Sequence, residues 1–234
     1  MRMRALSAGA FGLVMALTML AGAPAYSADE VFLVQYVDVQ PLGTKSAGAA
    51  LREARTAGRQ ADGNLQFETY AESARPSRFA IVSVWRDQKA AEAYSASPAA
   101  KQLRAKLESV RVTPFDERTL TLLGGDPVGG AGRKPAGAGA IHIVTHMDSI
   151  PPFKDEAAAA LKKLADASVN DTGVARYQVL VQTNRPNHFK LIESWADQKA
   201  FDAHVAAAHT RQFRDFVQQG TGSPYDERVY EALN

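Results

Sequence analysis

The chain contains one stretch twice, 110 residues apart, and this repeat does most to limit the folds that it can adopt. Residues 188–204, HFKLIESWADQKAFDAH, match residues 78–94, RFAIVSVWRDQKAAEAY. Extended outward without a gap, residues 31–123 and 141–233 share 26 identities in 93 pairs. Agreement spread so evenly along a chain of 234 residues predicts two tandem domains of about 95 residues each.

The first 28 residues have the pattern of a secretory signal peptide. Arg2 and Arg4 give a positive start, residues 8–23 are apolar and uncharged, and small residues follow up to Ala28. The apolar run is shorter than the ~20 residues that a membrane span needs. We therefore expect cleavage after Ser27 or Ala28, a secreted protein that is located in the periplasm, and no membrane span once the signal is removed.

The composition of the mature chain excludes several classes of function. Without Arg2 and Arg4 the chain has 25 basic and 25 acidic residues, so no excess of positive charge indicates nucleic-acid binding. The chain has no cysteine, which excludes disulfides, thiolate nucleophiles and cysteine-ligated metals. No glycine-rich phosphate loop follows a strand, so a flavin or nicotinamide fold is not indicated.

Each copy has the residue pattern of a β-α-β-β-α-β unit, which is the ferredoxin-like arrangement of one antiparallel sheet with helices on one face. Asp87, and Asp197 in the second copy, are suited to cap the helix that follows the third strand. The predicted first copy spans residues 29–123, with strands 31–39, 64–71, 78–85 and 115–122 and helices 45–59, 88–96 and 98–109. The predicted second copy spans residues 140–234, with strands 140–148, 174–183, 188–195 and 225–232 and helices 154–168, 197–207 and 209–219.

Residues 124–139, GGDPVGGAGRKPAGAG, consist mainly of glycine, alanine and proline and predict a flexible linker between the copies. A linker of this length allows the two copies to meet. We expect them to pair through their sheets as an internal pseudo-dimer, and further oligomerisation stays open.

The two copies differ most in their histidines. All five lie in the second copy, at positions 142, 146, 188, 204 and 209. The equivalent residues of the first copy are Phe32, Tyr36, Arg78, Tyr94 and Ala99. This segregation predicts a titratable site in the second copy and a degenerate, supporting first copy; chance variation at exposed positions is the other explanation.

The repeated pattern resembles the antibiotic biosynthesis monooxygenase family. The resemblance rests on the strand order, on the tryptophan that ends the third strand, and on the W-x-D-x-x-A-x-x-x-H pattern followed by a second histidine. The second copy is the closer match, with Glu193, Trp195, His204, His209 and Phe213, whereas the first has Ser83, Trp85, Tyr94, Ala99 and Leu103 at those positions. The resemblance implies an α+β fold in which two ferredoxin-like domains pair through their antiparallel sheets into a dimeric barrel.

The resemblance also implies oxygenation without a bound metal or flavin. The expected partners are dioxygen and a small aromatic, phenolic or quinol substrate. His204 is the expected base, since an imidazole with a pKa near 6.5 can take a proton at neutral pH. Trp195 is expected to form a pocket wall, and Glu193 or His209 to orient the reacting groups.

Glu193 faces the same side of its strand as Trp195, and an inward carboxylate needs a partner. A histidine on the facing helix is the natural candidate, and such pairing predicts a raised pKa for that histidine. Plain core packing for Trp195 and a solvated sheet end for Glu193 are the alternatives.

No metal site is expected. His204 and His209 are five positions apart, about 500° of helix rotation, so they are not expected to share one face cleanly. His142 and His146 share a strand face but lie roughly 13 Å apart.

Two other functions stay open. Relatives in the same superfamily bind or degrade haem with a helix histidine and a strand tryptophan, which makes haem the alternative cofactor. The degenerate first copy is also compatible with a small-molecule-binding or stress protein that has no turnover.

Overall fold

The computed structural model describes residues 29–126, 136–137 and 139–234. The predicted signal peptide and residues 127–135 and 138 of the predicted linker lie outside the described residues. Each copy is a β-α-β-β-α-β unit in which the second helical segment is split in two. The first copy consists of β1 (Val31–Asp38), α1 (Thr44–Arg59), β2 (Asn64–Glu72), β3 (Arg78–Trp85), α2 (Gln88–Ser95), α3 (Pro98–Glu108) and β4 (Asp116–Gly125). The second consists of β5 (Ile141–Asp148), α4 (Lys154–Ser168), β6 (Val174–Gln182), β7 (Arg185–Trp195), α5 (Gln198–Val205), α6 (Ala208–Val217) and β8 (Asp226–Ala232).

The repeated stretch turns from strand to helix in the same way in both copies. Asp87 accepts a hydrogen bond from the backbone N–H of Ala90 at 2.7 Å, and Asp197 accepts one from Ala200 at 2.8 Å. Each carboxylate satisfies a backbone donor that the first helical turn leaves unpaired. Both predicted caps are therefore present.

The two sheets join edge to edge into one closed barrel. The strand order is β1-β3-β2-β8-β5-β7-β6-β4. Strand β2 pairs with β8 and β4 pairs with β6, both antiparallel, so each copy closes the edges of the other. The prediction of two ferredoxin-like units paired through their sheets is confirmed. Closure also protects strand edges that would otherwise be open to association.

Two strands extend beyond their predicted limits. Strand β4 continues through Gly124 and Gly125 into the stretch predicted as linker, where it pairs with β6. Gly125 has φ +92, and a Cβ added there would lie 2.2 Å from the carbonyl oxygen of Tyr177. Glycine at this position thus serves the close approach of two strands. Strand β7 begins at Arg185 and not at His188.

The strands divide their side chains between two kinds of core. One set fills the barrel interior and includes Phe32, Val82 and Ile192. The other set faces outward under the helices, in a separate cluster for each copy. On β7 the residues of the outward set are Phe189, Leu191, Glu193 and Trp195, all 2% exposed or less. The predicted parity is present, and Glu193 lies on a face that the helices cover.

In the part of the chain that the structure describes, no helix is both long and apolar enough to cross a membrane.

Candidate functional site

The site is built around the end of strand β7 in the second copy. The indole Nε1–H of Trp195 donates to Oε2 of Glu193 at 2.9 Å, and both side chains are buried. The first copy has the same geometry with a smaller acceptor, because Trp85 donates to the hydroxyl of Ser83 at 3.0 Å. The repeat therefore preserves the tryptophan hydrogen bond, and only the second copy places a carboxyl group there.

A helix residue stacks on each tryptophan. The His204 ring lies 4.6 Å from the Trp195 ring at an interplanar angle of 29°. Tyr94 lies 4.8 Å from Trp85 at 27° in the first copy. The two sites thus have the same geometry, but only the second offers an imidazole, the side chain suited to general acid–base chemistry.

Asp171 brings the two predicted helix histidines together. Its Oδ2 lies 2.7 Å from Nδ1 of His204 and 3.0 Å from Nε2 of His209. The expectation that these histidines do not share a face is wrong, because it counted helix rotation across the break predicted between helices 197–207 and 209–219. In the structure α5 ends at Val205 and α6 begins at Ala208. The change of helix direction lets residues five apart converge on one carboxylate.

The shared carboxylate determines which nitrogen of each imidazole carries the hydrogen. A carboxylate oxygen only accepts hydrogen bonds, so each imidazole that it holds donates an N–H to it. This leaves Nε2 of His204 and Nδ1 of His209 as the nitrogens that carry a lone pair when the rings are neutral. Asp171 therefore orients two potential bases at once, because a carboxylate that accepts from one ring nitrogen fixes both the tautomer and the orientation of the imidazole.

Glu193 is not the ionic partner that the sequence suggested for His204. Its Oε2 is 4.0 Å from Nε2 of His204, beyond hydrogen-bonding distance. Burial raises the pKa of Glu193 to about 8, against a smaller lowering effect of the Trp195 hydrogen bond. At neutral pH the side chain is a neutral acid, so it does not raise the pKa of His204.

Burial instead lowers the pKa of His204, and the hydrogen bond and charge of Asp171 oppose that shift. The ring is 4% exposed. His204 is therefore a neutral imidazole at pH 7, whereas the side chain of His209 is 25% exposed and open to solvent.

An apolar groove of about 480 Å³ lies between α4 and α6. Its lining residues are Glu156, Ala159, Ala160, Lys163, Leu164, Ala167, His209, Gln212, Phe213 and Phe216. The groove is not lined by Trp195, Glu193 or His204. Trp195 belongs to the same core cluster as Phe213 and Leu164, and both Glu193 and His204 contact Trp195. Of the four predicted site residues, His209 lines the groove. His204 is linked to His209 through Asp171, which contacts both rings.

Asp171 is the site residue that the sequence reasoning missed. The repeat carried a signal for it, since Ala61 occupies the equivalent position of the first copy. The same shift replaces Ala99 with His209 and Tyr94 with His204. All three polar groups are thus present in one copy and absent from the other.

The same three side chains could hold a metal ion. One ligand atom from each of Asp171, His204 and His209 lies within 4.8 Å of the others. The expectation of a metal-free site stays a prediction.

The family model for antibiotic biosynthesis monooxygenases matches the chain twice, at residues 31–106 and 140–215. The two matches cover most of both repeat copies, and the chain belongs to this family, as a member with two tandem domains. No curated protein matches the sequence.

Solved structures share the whole tandem fold. A candidate monooxygenase from Fusobacterium nucleatum subsp. nucleatum ATCC 25586 has a TM-score of 0.77 at 14% identity, over 88% of this chain and 94% of its own. A candidate monooxygenase from Lactobacillus acidophilus NCFM has a TM-score of 0.70 at 13% identity, over 88% and 95%. An anthrone oxidase-like protein has a TM-score of 0.67 at 13% identity, over 89% and 92%. At these identities the likeness concerns the fold.

Proposed function

We propose that the protein is an exported monooxygenase that oxidises a small phenol or quinol with dioxygen, in the second copy and without a bound metal or flavin. The observation that carries the proposal is the pair of imidazoles that Asp171 holds at the inner side of an apolar groove. Family membership supports the reaction class.

The chemistry requires a base more than it requires a cofactor. A deprotonated quinol is electron-rich enough to reduce dioxygen directly. One oxygen atom then enters the ring and the other leaves as water, with the quinol supplying both electrons. The protein must bind the ring, exclude water and accept the phenolic proton.

The groove combines an apolar surface for the ring with a side chain that can accept the proton. Leu164, Phe213 and Phe216 offer apolar surface for a ring, and Lys163 brings a positive charge to the lining. His209 is the imidazole that a ligand in the groove can touch. We therefore assign proton acceptance to His209, and the sequence-based choice of His204 becomes a positioning role through Asp171.

Glu193 and Trp195 support the pair from behind. A neutral, buried Glu193 next to His204 avoids a second negative charge beside Asp171. Trp195 holds the carboxyl group by its N–H and the His204 ring by stacking. Both residues act on ring position and not on the substrate itself.

Oxygen uptake against a panel of quinols and phenols tests the proposal. We expect turnover by protein that has been treated with a chelator and given no cofactor, with quinols faster than simple phenols because they are oxidised more easily. Binding of the panel compounds without oxygen uptake would favour the alternative of a non-catalytic binding protein.

One observation favours haem binding as a second candidate. Asp171 accepts the Nε2–H of His209, a lining residue of the apolar groove, so the lone pair of the neutral ring is on Nδ1. Histidines that bind a metal commonly donate their second N–H to a carboxylate in this way. A sharp haem absorption band on titration of haem, lost in His209→Ala, would support this candidate; a spectrum unchanged from free haem would exclude it.

A further inference from the structure

A second group of metal-ligating side chains lies at one end of the barrel, away from the groove. His146 and Asp148 are two residues apart on β5, and His188 is the register partner of Asp148 on β7. All three side chains are 17–20% exposed. Nε2 of His146 and Nδ1 of His188 lie 2.7 and 2.6 Å from the same oxygen, Oδ1 of Asp148.

Both ring nitrogens of His146 face oxygens that can only accept a hydrogen bond. Nδ1 is 3.2 Å from the backbone carbonyl oxygen of Phe189, and Nε2 is 2.7 Å from Oδ1 of Asp148. A neutral imidazole has one N–H, so it can satisfy one of these two oxygens. With that N–H donated to Phe189, a cation bound between Nε2 and Asp148 would satisfy both groups.

Asp148 gives the same indication. Its Oδ1 is buried and has no hydrogen bond within normal geometry despite the two nearby nitrogens. Its other oxygen, Oδ2, accepts from the hydroxyl of Ser223 at 3.2 Å. Metal sites typically have outer contacts of this kind. A backbone carbonyl accepts the second N–H of a ligating histidine, and a hydroxyl donates to a ligating carboxylate.

In the first copy, an arginine neutralises the carboxylate at the position equivalent to Asp148. Asp38 is the equivalent of Asp148, and its cation is the guanidinium of Arg78, with Nε 3.3 Å from Oδ2. Arg78 is the equivalent of His188. The second copy has thus replaced a built-in cation with an imidazole.

We propose that His146, Asp148 and His188 form a binding site for a zinc-type divalent transition-metal ion. Two imidazoles and a carboxylate are a donor set for such ions, and three protein ligands leave one position of a tetrahedral ion for water or an anion. Bonds of about 2.0–2.2 Å place tetrahedral ligand atoms roughly 3.3 Å apart, so the nitrogens move outward by about half an ångström on binding.

Two cations near the site oppose metal binding. Nη1 of Arg118 lies 3.1 and 3.0 Å from the two nitrogens of His146, so it can donate to the nitrogen that carries the lone pair and compete with a metal ion for it. Arg118 is itself paired with Asp116 at 2.7 Å. Lys190 lies 4.6 Å from the ring of Tyr36, and both residues line the adjoining cavity of about 550 Å³ together with His146.

Titration of the full mature chain with Co²⁺, after chelator treatment, tests the proposal, because bound Co²⁺ has a visible spectrum that reports ligand number and type. We expect a one-to-one complex of low coordination number that Zn²⁺ displaces. His188→Arg recreates the Arg78–Asp38 pair of the first copy and should fold, yet we expect it to weaken binding at least about 100-fold. Arg118→Gln should tighten binding by roughly tenfold.

His209→Ala separates this site from the other cluster of possible ligands, because it removes one member of the Asp171 group and none of this one. We expect it to leave the Co²⁺ spectrum unchanged. Absence of the complex in the unmodified chain would overturn the proposal, and so would a complex that survives His188→Arg but disappears in His209→Ala. Each of these results is independent of oxygen uptake.

Discussion

Replacing His209 with alanine is expected to lower kcat for quinol oxidation by about 10²–10⁴-fold, the usual contribution of a general base. The side chain is 25% exposed, so its loss leaves little buried space and the variant should fold. Oxygen uptake at saturating quinol measures the effect, and thermal unfolding of the same preparation checks the fold. The expected change is in kcat, because the apolar lining of the groove still binds the ring.

Added imidazole distinguishes a chemical role from a structural one. If His209 accepts the proton, free imidazole should restore part of the rate to His209→Ala, because the groove is open to solvent on that side. Tyr94→Phe is the control for the first copy, because His209 has only Ala99 as its equivalent there and Tyr94 stands where His204 stands in the second copy. Loss of activity in Tyr94→Phe with retention in His209→Ala would place the reaction in the first copy.

His204→Ala should act differently from His209→Ala. It removes the ring that packs Asp171 against Trp195, so we expect a fall in kcat that added imidazole does not restore. A rescue of His204→Ala and not of His209→Ala would return the role of base to His204.

Glu193→Gln is expected to make the protein more stable than the wild type, by a margin that grows as the pH rises. Burial raises the pKa of Glu193 from 4.5 to about 8. Between these values the folded protein binds one proton more than the unfolded chain, so the free energy of unfolding falls with rising pH. The fall is about 1.4 kcal/mol for each pH unit, on the order of 3–4 kcal/mol by pH 8.

Glutamine removes this dependence because it cannot ionise and can still accept the Trp195 N–H. Urea unfolding of both proteins between pH 5 and pH 8 measures the difference, in which the contributions of all other groups cancel. Ser83→Ala is the matched control: it removes the acceptor of Trp85 in the first copy and should cost about 1–3 kcal/mol at every pH. A constant difference between Glu193→Gln and wild type would show that Glu193 is ionised throughout this range.

The fold was predictable because the same residue pattern occurs twice in the sequence. A strand that ends in tryptophan, followed by an aspartate at the helix N-cap, occurs twice at a constant spacing, and both copies form the same elements. The alternation on β7 correctly placed Glu193 and Trp195 under the helices. The limits of β4 were missed because Gly124 and Gly125 have the composition of a linker, and only the approach of β6 gives them a strand partner.

The arrangement of the site depended on features that the sequence does not express locally. The two helix histidines converge because the chain changes direction between Val205 and Ala208. The repeat predicted a break there, but a sequence pattern does not give the angle between the two helices. Asp171 reaches them from a turn more than thirty residues away. The pKa of Glu193 is set by how completely it is buried, and a strand pattern does not give that degree of burial.

The most direct test of the account is the fate of ¹⁸O₂ in the product that chelator-treated protein forms from its best quinol. A quinol monooxygenase places one atom of dioxygen in the ring and releases the other as water. We expect a hydroxyquinone 2 mass units heavier than the product made under unlabelled oxygen, when it is analysed before its carbonyl oxygens exchange with water. A product without label, or labelling that requires added metal or haem, would contradict a metal-free oxygenation site in the second copy.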